Sequence, residues 1–280
     1  MTEVVTASIR YVQRDENRLT SEKPYILHYD APEGFPQNNF TIQSYSGIQI
    51  QNLRSAGLSY EEHGLAIAPL GNSGWDPALF DDDDWIEQTY LPELHRSVCK
   101  ELGAKDMTVF DWMLRKRSAS FPERNQDEVN VEAVQPSLSA HIDYTTKELD
   151  GRLDQYFGDK KESFMKREYH VINIWRPLSG PCRDFPMAYL DPKSVDRDAD
   201  LFAVDEVFPN VANEVYQVYH NPNHKWYYVP DQLESEVVIF NAYDSKKGQA
   251  NAVPHCSFDL GELRSGPPRQ SIEVRAFVFF

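Results

Sequence analysis

The closing stretch of the chain constrains its fold more than any other. Arg269, Ser271, Glu273, Arg275, Phe277 and Phe279 alternate with Gln270, Ile272, Val274, Ala276 and Val278, and a strand of period two sends the two sets to opposite faces. One face is largely apolar, while the other carries two arginines, a hydroxyl and a carboxylate. An unpaired buried charge costs about 3–5 kcal/mol, so the second face calls for an anion. A second strand placed beside this one, with His255 of VPHCSFD pointing the same way, would put a metal ligand within reach of that anion.

The other chemical segment is PSLSAHIDYTT, Pro136 to Thr146. If Ser139 to Thr145 is extended, His141 and Asp143 project from one face of a rigid strand and reach a single ion together. With His255 they make two imidazoles and one carboxylate, the facial set that leaves three positions open on non-haem Fe(II). The HxD spacing is weak by itself, and a second copy, His28 and Asp30, lies in the proline-rich stretch ILHYDAPEG. His141 and Asp143 are preferred, because metal ligands need packed, rigid elements behind them.

Composition narrows the class. With 280 residues, 41% hydrophobic and 26% charged, the chain suits one domain, residues 1–105 forming an N-terminal arm with supporting elements and residues 106–280 the core. No apolar run approaches the ~18 residues of a spanning helix and no basic-then-apolar leader opens the chain, so it reads as soluble and cytosolic. The three cysteines, Cys99, Cys182 and Cys256, fit neither a disulfide framework nor a thiolate zinc site. A net charge of -16 and a pI near 4.9 disfavour nucleic acid and anionic membranes as partners. The oligomeric state is open.

In chain order, residues 1–38 read as an arm with little regular structure, and Asn39 to Asn52 as a hairpin about Ser46 and Gly47. The acidic run Asp81 to Asp84 caps a helix carrying Trp85, Ile86, Tyr90, Leu91, Leu94, Val98 and Leu102 and ending at Gly103; no EF-hand spacing follows it. Met107 to Met113 reads as a core strand, followed by RKRSASFPERNQDEVN as a surface loop that could border an entrance. Lys147 to Arg167 reads as a helical insert broken at Gly158. In the strand HVINIWRP, His170 and Trp175 read as core. Asn173 and Arg176 must bond something, and Asn173, Trp175 and Arg176 are carried forward as candidate substrate contacts. His220 and His224 have the spacing of a helical metal pair, but Pro222 between them forbids a regular helix, leaving turn and aromatic packing. The aromatics Trp226, Tyr227 and Tyr228 suit a pocket wall or a core equally well.

Many short strands with turn residues between them suggest a mainly β fold with flanking helices: a double-stranded β-helix, the jelly roll of the cupin kind. The segments AHIDYT, NIWRPLSGPCRDFPMAYLDPKSV, VYHNPNHKWYYVPDQ, VVIFNAYDS, VPHCSFD and RQSIEVRAFVF, in that order, resemble the fungal hydroxylase/desaturase family of Fe(II)/2-oxoglutarate-dependent oxygenases, which includes gibberellin desaturase and enzymes of secondary metabolism. That family is itself similar to the small component of bacterial cephamycin 7-alpha-methoxylation. The likeness is strongest from about residue 106 onward.

The resemblance implies that His141, Asp143 and His255 bind iron and that Arg269 and Ser271, an RxS pair, hold the distal carboxylate of 2-oxoglutarate. Arg275, six residues on along the same face, competes for that carboxylate unless Glu273 neutralises it. The implied reaction consumes O2 and 2-oxoglutarate, releases succinate and CO2, and hydroxylates, desaturates or cyclises a small metabolite at an unactivated C–H bond. Asp143 disfavours halogenation, which needs that ligand position vacated. No glycine-rich nucleotide loop supports a methyltransferase. Two other classes stay open: a non-catalytic jelly-roll binder of small molecules, and a partner subunit of a two-component oxygenase.

Overall fold

The computed structural model describes residues 4–15, 22–122 and 134–280. In chain order its strands are β1 (Val4–Val12), β2 (Tyr25–Leu27), β3 (Ile42–Asn52), β4 (Leu65–Pro69), β5 (Asp106–Lys116), β6 (His141–Ile142), β7 (Tyr169–Pro177), β8 (Met187–Leu190), β9 (Leu201–Val207), β10 (Ala212–Val218), β11 (Trp226–Tyr228), β12 (Glu236–Asp244), β13 (His255–Ser257) and β14 (Gln270–Phe279). They form a nine-stranded sheet in the order β1-β3-β11-β8-β13-β6-β10-β9-β2 and a five-stranded sheet in the order β4-β12-β7-β14-β5. Trp175, Val238 and Phe240 of the smaller sheet pack against Met187, Tyr189 and Tyr227 of the larger, so the sheets face each other across a shared interior. This is the jelly roll expected from the strand pattern.

β14 shows why the smaller sheet can stand between two layers. Its even-numbered residues Ile272, Val274, Ala276 and Val278 join Ile172 and Ile174 of β7 on the outer face, where Leu94 and Val98 of the helix Leu91–Leu102 cover them. Each fully buried large aliphatic side chain contributes about 1.5–3 kcal/mol, so this apolar layer holds the sheet rigid while the odd face is left to polar groups. The helical run leading into that helix begins at Asp83–Trp85, where the acidic run supplies the cap, the Asp82 side chain accepting from Trp85 N at 3.2 Å, and Leu91–Leu102 ends at Gly103 in the left-handed conformation, φ 66°. A wide π-type turn at Ile86–Tyr90 precedes Pro92, relieving the clash that a proline imposes on the preceding turn.

Several sequence readings need correction. Residues 4–12 are not an irregular arm: β1 pairs antiparallel with β3 along nearly its whole length. Ile42 to Asn52 is one continuous strand rather than a hairpin. Gly47, at φ 79°, supplies an extra residue opposite the register shift between Ala7 and Ile9, making a bulge where a turn was expected. β1, β3 and β4 all lie within the sheets, so strand pairing crosses the division at residue 105. His255 sits on β13, in the larger sheet beside β6 and β8. It therefore faces β14 across the interior rather than lying next to it.

The insert is helical as read: a helix over Thr146–Phe157, a break at Gly158–Lys160 and a short helix over Lys161–Met165. Of the loop read as an entrance border, residues 123–133 lie outside the described residues. No helix among the described residues is long and apolar enough to cross a membrane.

Candidate active site

Cross-strand register brings the two histidines together. His255 of β13 is the direct antiparallel partner of His141 of β6, and their ring centroids lie 4.5 Å apart. Each ring is oriented the same way: His141 Nδ1 donates to Ser139 O at 2.8 Å, and His255 Nδ1 donates to Val253 O at 3.2 Å. A carbonyl only accepts, so each Nδ1 carries a proton and each Nε2 is the nitrogen turned toward Asp143, the one through which either ring would meet a metal. Asp143 Oδ1 lies 3.2 Å from His141 Nε2 and 3.7 Å from His255 Nε2. One ligand atom from each of the three residues falls within 4.8 Å of the others, and all three side chains are buried.

The electrostatics suit a cation. Burial works against ionisation of Asp143, but Arg275, His141 and His255 outweigh it and hold the carboxyl well below its usual range. Burial, with His141 beside it, pushes His255 down to about 4, so it is neutral and ready to ligate at neutral pH. Its Nε2 is buried with no hydrogen-bond partner. For His141, burial opposes the charged form, but the hydrogen bond to Asp143 prevails and raises the imidazole above its ordinary value. A neutral imidazole nitrogen left orphaned beside an ionised carboxylate oxygen is the donor set of a divalent metal site, and the residues present fit one.

The polar face of β14 splits into two regions. Arg275 is ion-paired three ways: Nε to Asp143 Oδ2 at 2.8 Å, Nη1 to Asp111 Oδ2 at 2.6 Å and Nη2 to Glu273 Oε2 at 3.5 Å. Its placement among binders of a cosubstrate carboxylate is therefore corrected, because its donors are already committed to the protein's own carboxylates. Arg269 is the opposite case. It is 3% exposed, its Nη1 donates to Phe185 O and to Ser257 Oγ, and its Nε and Nη2 have no partner. Among the described residues no carboxylate forms a salt bridge with its side chain. Burial pushes this guanidinium down to about 10, which still leaves it charged at neutral pH. The hydroxyl of Ser271, the Nε1 of Trp175 and the hydroxyl of Tyr189 are also buried without partners. Buried polar groups are almost always bonded, so this concentration of unmet donors beside a buried cation marks a cradle for an anion.

Alternation decides the fate of the β7 candidates. Asn173 and Trp175 face the interior: Asn173 Nδ2 donates to Asp143 Oδ2 at 2.6 Å, and the Trp175 ring lies 5.5 Å from the Arg269 guanidinium carbon. Arg176 points the other way. It donates to Glu234 O and Ser73 O and lies over the rings of Trp75, Phe80 and Tyr90 beneath the helical layer, so it is not a substrate contact. His170 bonds Tyr60 on that outer side.

The other histidines singled out in the sequence fall elsewhere. His28 follows edge strand β2, stacked on Phe208 at 4.3 Å. His220 stacks on Tyr45 and His224 on Tyr11, the aromatic packing expected of them. Sequence reasoning missed Tyr189 and Asp111. An aspartate inside the apolar run MTVFDWM was a usable signal for the second; nothing marked the first beyond its place in a strand.

Residues 9–279 match the family described as "Oxidoreductase/YMDC permease-like domain", and the chain belongs to that family. Among curated proteins, it is 28% identical to alpha-ketoglutarate-dependent dioxygenase phiK of a Fungal sp., covering 90% of this chain and 89% of that protein. It is also 28% identical to alpha-ketoglutarate-dependent dioxygenase tstK of Talaromyces stipitatus, covering 91% and 96%. The solved structure of the iron and alpha-ketoglutarate-dependent endoperoxidase NvfI superposes with a TM-score of 0.83 at 24% identity, covering 100% of this chain and 99% of that one, which is a match of fold.

Proposed function

We propose that this protein is a non-haem Fe(II)/2-oxoglutarate-dependent dioxygenase that oxidises an unactivated C–H bond of a small secondary metabolite. The observation that carries the reading is the juxtaposition of His141 Nε2, His255 Nε2 and Asp143 Oδ1 with a buried guanidinium whose Nε and Nη2 are unmet. His141, Asp143 and His255 would hold the ferrous ion, and Arg269 with Ser271 would hold the far carboxylate of the keto acid. When bound, iron and 2-oxoglutarate supply an oxidant drawn from O2, with release of succinate and CO2.

The chain's own part is geometric and electrostatic. Ser139 and Val253 carbonyls fix the two imidazole tautomers, so neither ring has to reorganise on binding. Arg269 offers a planar fork suited to a carboxylate, and at 3% exposure it meets little competition from water. Whether an alcohol, an alkene or a new ring results is set by which C–H bond the pocket presents.

Anaerobic addition of Fe(II) and 2-oxoglutarate to metal-free protein tests the assignment. It should give the weak visible charge-transfer band of the chelate, absent in Asp143→Ala. Succinate formation that survives in both His141→Ala and Asp143→Ala would sink it. A non-catalytic small-molecule binder that takes up no iron would show no band, and a subunit dependent on a second protein would show the band yet oxidise its metabolite only with that protein present.

A further inference from the structure

The single carboxylate of the candidate triad is gripped from behind. Asp143 Oδ2 accepts from Arg275 Nε at 2.8 Å and from Asn173 Nδ2 at 2.6 Å, while Oδ1 faces the two imidazole nitrogens at 3.2 and 3.7 Å. A carboxylate oxygen has about two acceptor sites, so two donors saturate Oδ2 and only Oδ1 remains available to a metal.

The clamp has its own support. Asn173 of β7 and Arg275 of β14 are direct cross-strand partners that reach together across the interior to the segment following β6. Asn173 Nδ2 also donates to Glu273 Oε1 at 3.0 Å, and Arg275 is tied to Asp111 and Glu273. Glu273 is a further 3.7 Å from Arg115. Asn173, Glu273 and Arg275 are 1%, 3% and 7% exposed, and hydrogen bonds to charged groups in such surroundings are the strong ones.

We propose that Asn173 and Arg275 are positioning residues that fix Asp143 as a one-oxygen ligand, with Glu273 holding both donors in place. The consequence follows from counting positions. Two imidazoles and one carboxylate oxygen leave three of six sites, two for a chelating keto acid and one for O2; a carboxylate turned to bind through both oxygens would take one of them. The inference rests on the ferrous reading above, and it gives Arg275 and Asn173 work other than contact with cosubstrate or metabolite.

Cobalt(II) titration of metal-free protein under anaerobic conditions tests it, because the visible ligand-field spectrum of Co(II) reports coordination number. Wild-type protein should bind one Co(II) per chain. Asn173→Leu should bind roughly 10–100-fold more weakly, the range typical when a partner of a metal ligand is lost, with an altered ligand-field spectrum. Arg275→Lys keeps the charge but loses the fork that spans Asp143 and Asp111, and should shift the spectrum the same way. Melting of each metal-free variant shows which are folded, and the spectrum is read on those. An Asn173→Leu or Arg275→Lys chain that is folded and matches wild type in affinity and spectrum overturns the clamp alone. Failure of the wild type to take up metal overturns the ferrous reading, and the clamp with it.

Discussion

Arg269 and Arg275 leave the same face of one strand, and their surroundings give them different work. Arg275 meets three carboxylates, while Arg269 meets only neutral oxygens with two of its nitrogens idle. A buried, incompletely paired cation is costly, about 3–5 kcal/mol when a partner is missing, and an arriving carboxylate would relieve that cost. Arg269→Gln is therefore expected to raise the KM for 2-oxoglutarate on the order of 100-fold, from about 3 kcal/mol for a hydrogen bond to a charged group. Ser271→Ala should raise it only about 5-fold, from about 1 kcal/mol, and His28→Ala not at all. Succinate release against keto-acid concentration reads all three, and an Arg269→Gln value equal to wild type would reassign the anion cradle. The pairing of Arg269 with Ser271 was legible from the period of the strand. What Arg275 does was not, because Asp143, 132 residues away in the chain, contributes its partner oxygen.

At the scale of elements, the site depends on a glycine far from it in sequence. Gly64 ends the short helix Tyr60–His63 in the left-handed region, φ 67°, and a Cβ there would stand 2.4 Å from Asn251 O and 2.9 Å from Asn241 Cβ. Its carbonyl accepts from Asn241 N at 2.8 Å, the carbonyl of Asn241 accepts from Val253 N at 2.8 Å, and the carbonyl of Val253 orients His255. Gly64→Ala should thus cost about 3 kcal/mol, part conformational and part overpacking, lowering the melting midpoint on the order of 5 °C. Metal affinity should fall with it, because the segment that orients the imidazole shifts; calorimetry and Co(II) titration check the two effects. An unaltered midpoint would show that the contact relaxes freely. Elements themselves were read well where one period ran without interruption, as in β14 and the helix Leu91–Leu102. They were misread at β3, where Gly47 looks the same in sequence whether it turns the chain back or only bulges it.

On the scale of the whole molecule, a buried polar cluster away from the candidate site should add to the loss of stability in acid. His224 Nε2 lies 3.2 Å from Asp200 Oδ2 and its Nδ1 3.3 Å from the hydroxyl of Tyr11, which accepts from Trp226 Nε1. Burial lowers the His224 imidazole despite Asp200. An unfolded histidine titrates near ~6.5, so below that pH the unfolded chain binds the proton more readily than the folded one, and this group's contribution to stability falls as pH falls. His224→Gln is expected to flatten the loss of stability between about pH 6.5 and 5, measured by urea melts across that range; an unchanged slope would place the acid sensitivity elsewhere. By itself the sequence determined the alternation that sends Arg269, Ser271, Glu273 and Arg275 to one face, the HxD spacing and the mainly β character, since each follows from local periodicity and residue chemistry. Only the tertiary structure decided that His255 lies opposite His141 across a strand pair, that Arg176 faces the helices, and that Asp143 keeps one oxygen free. Those outcomes depend on register and on which sheet each strand joins, and both are set by contacts between segments more than a hundred residues apart.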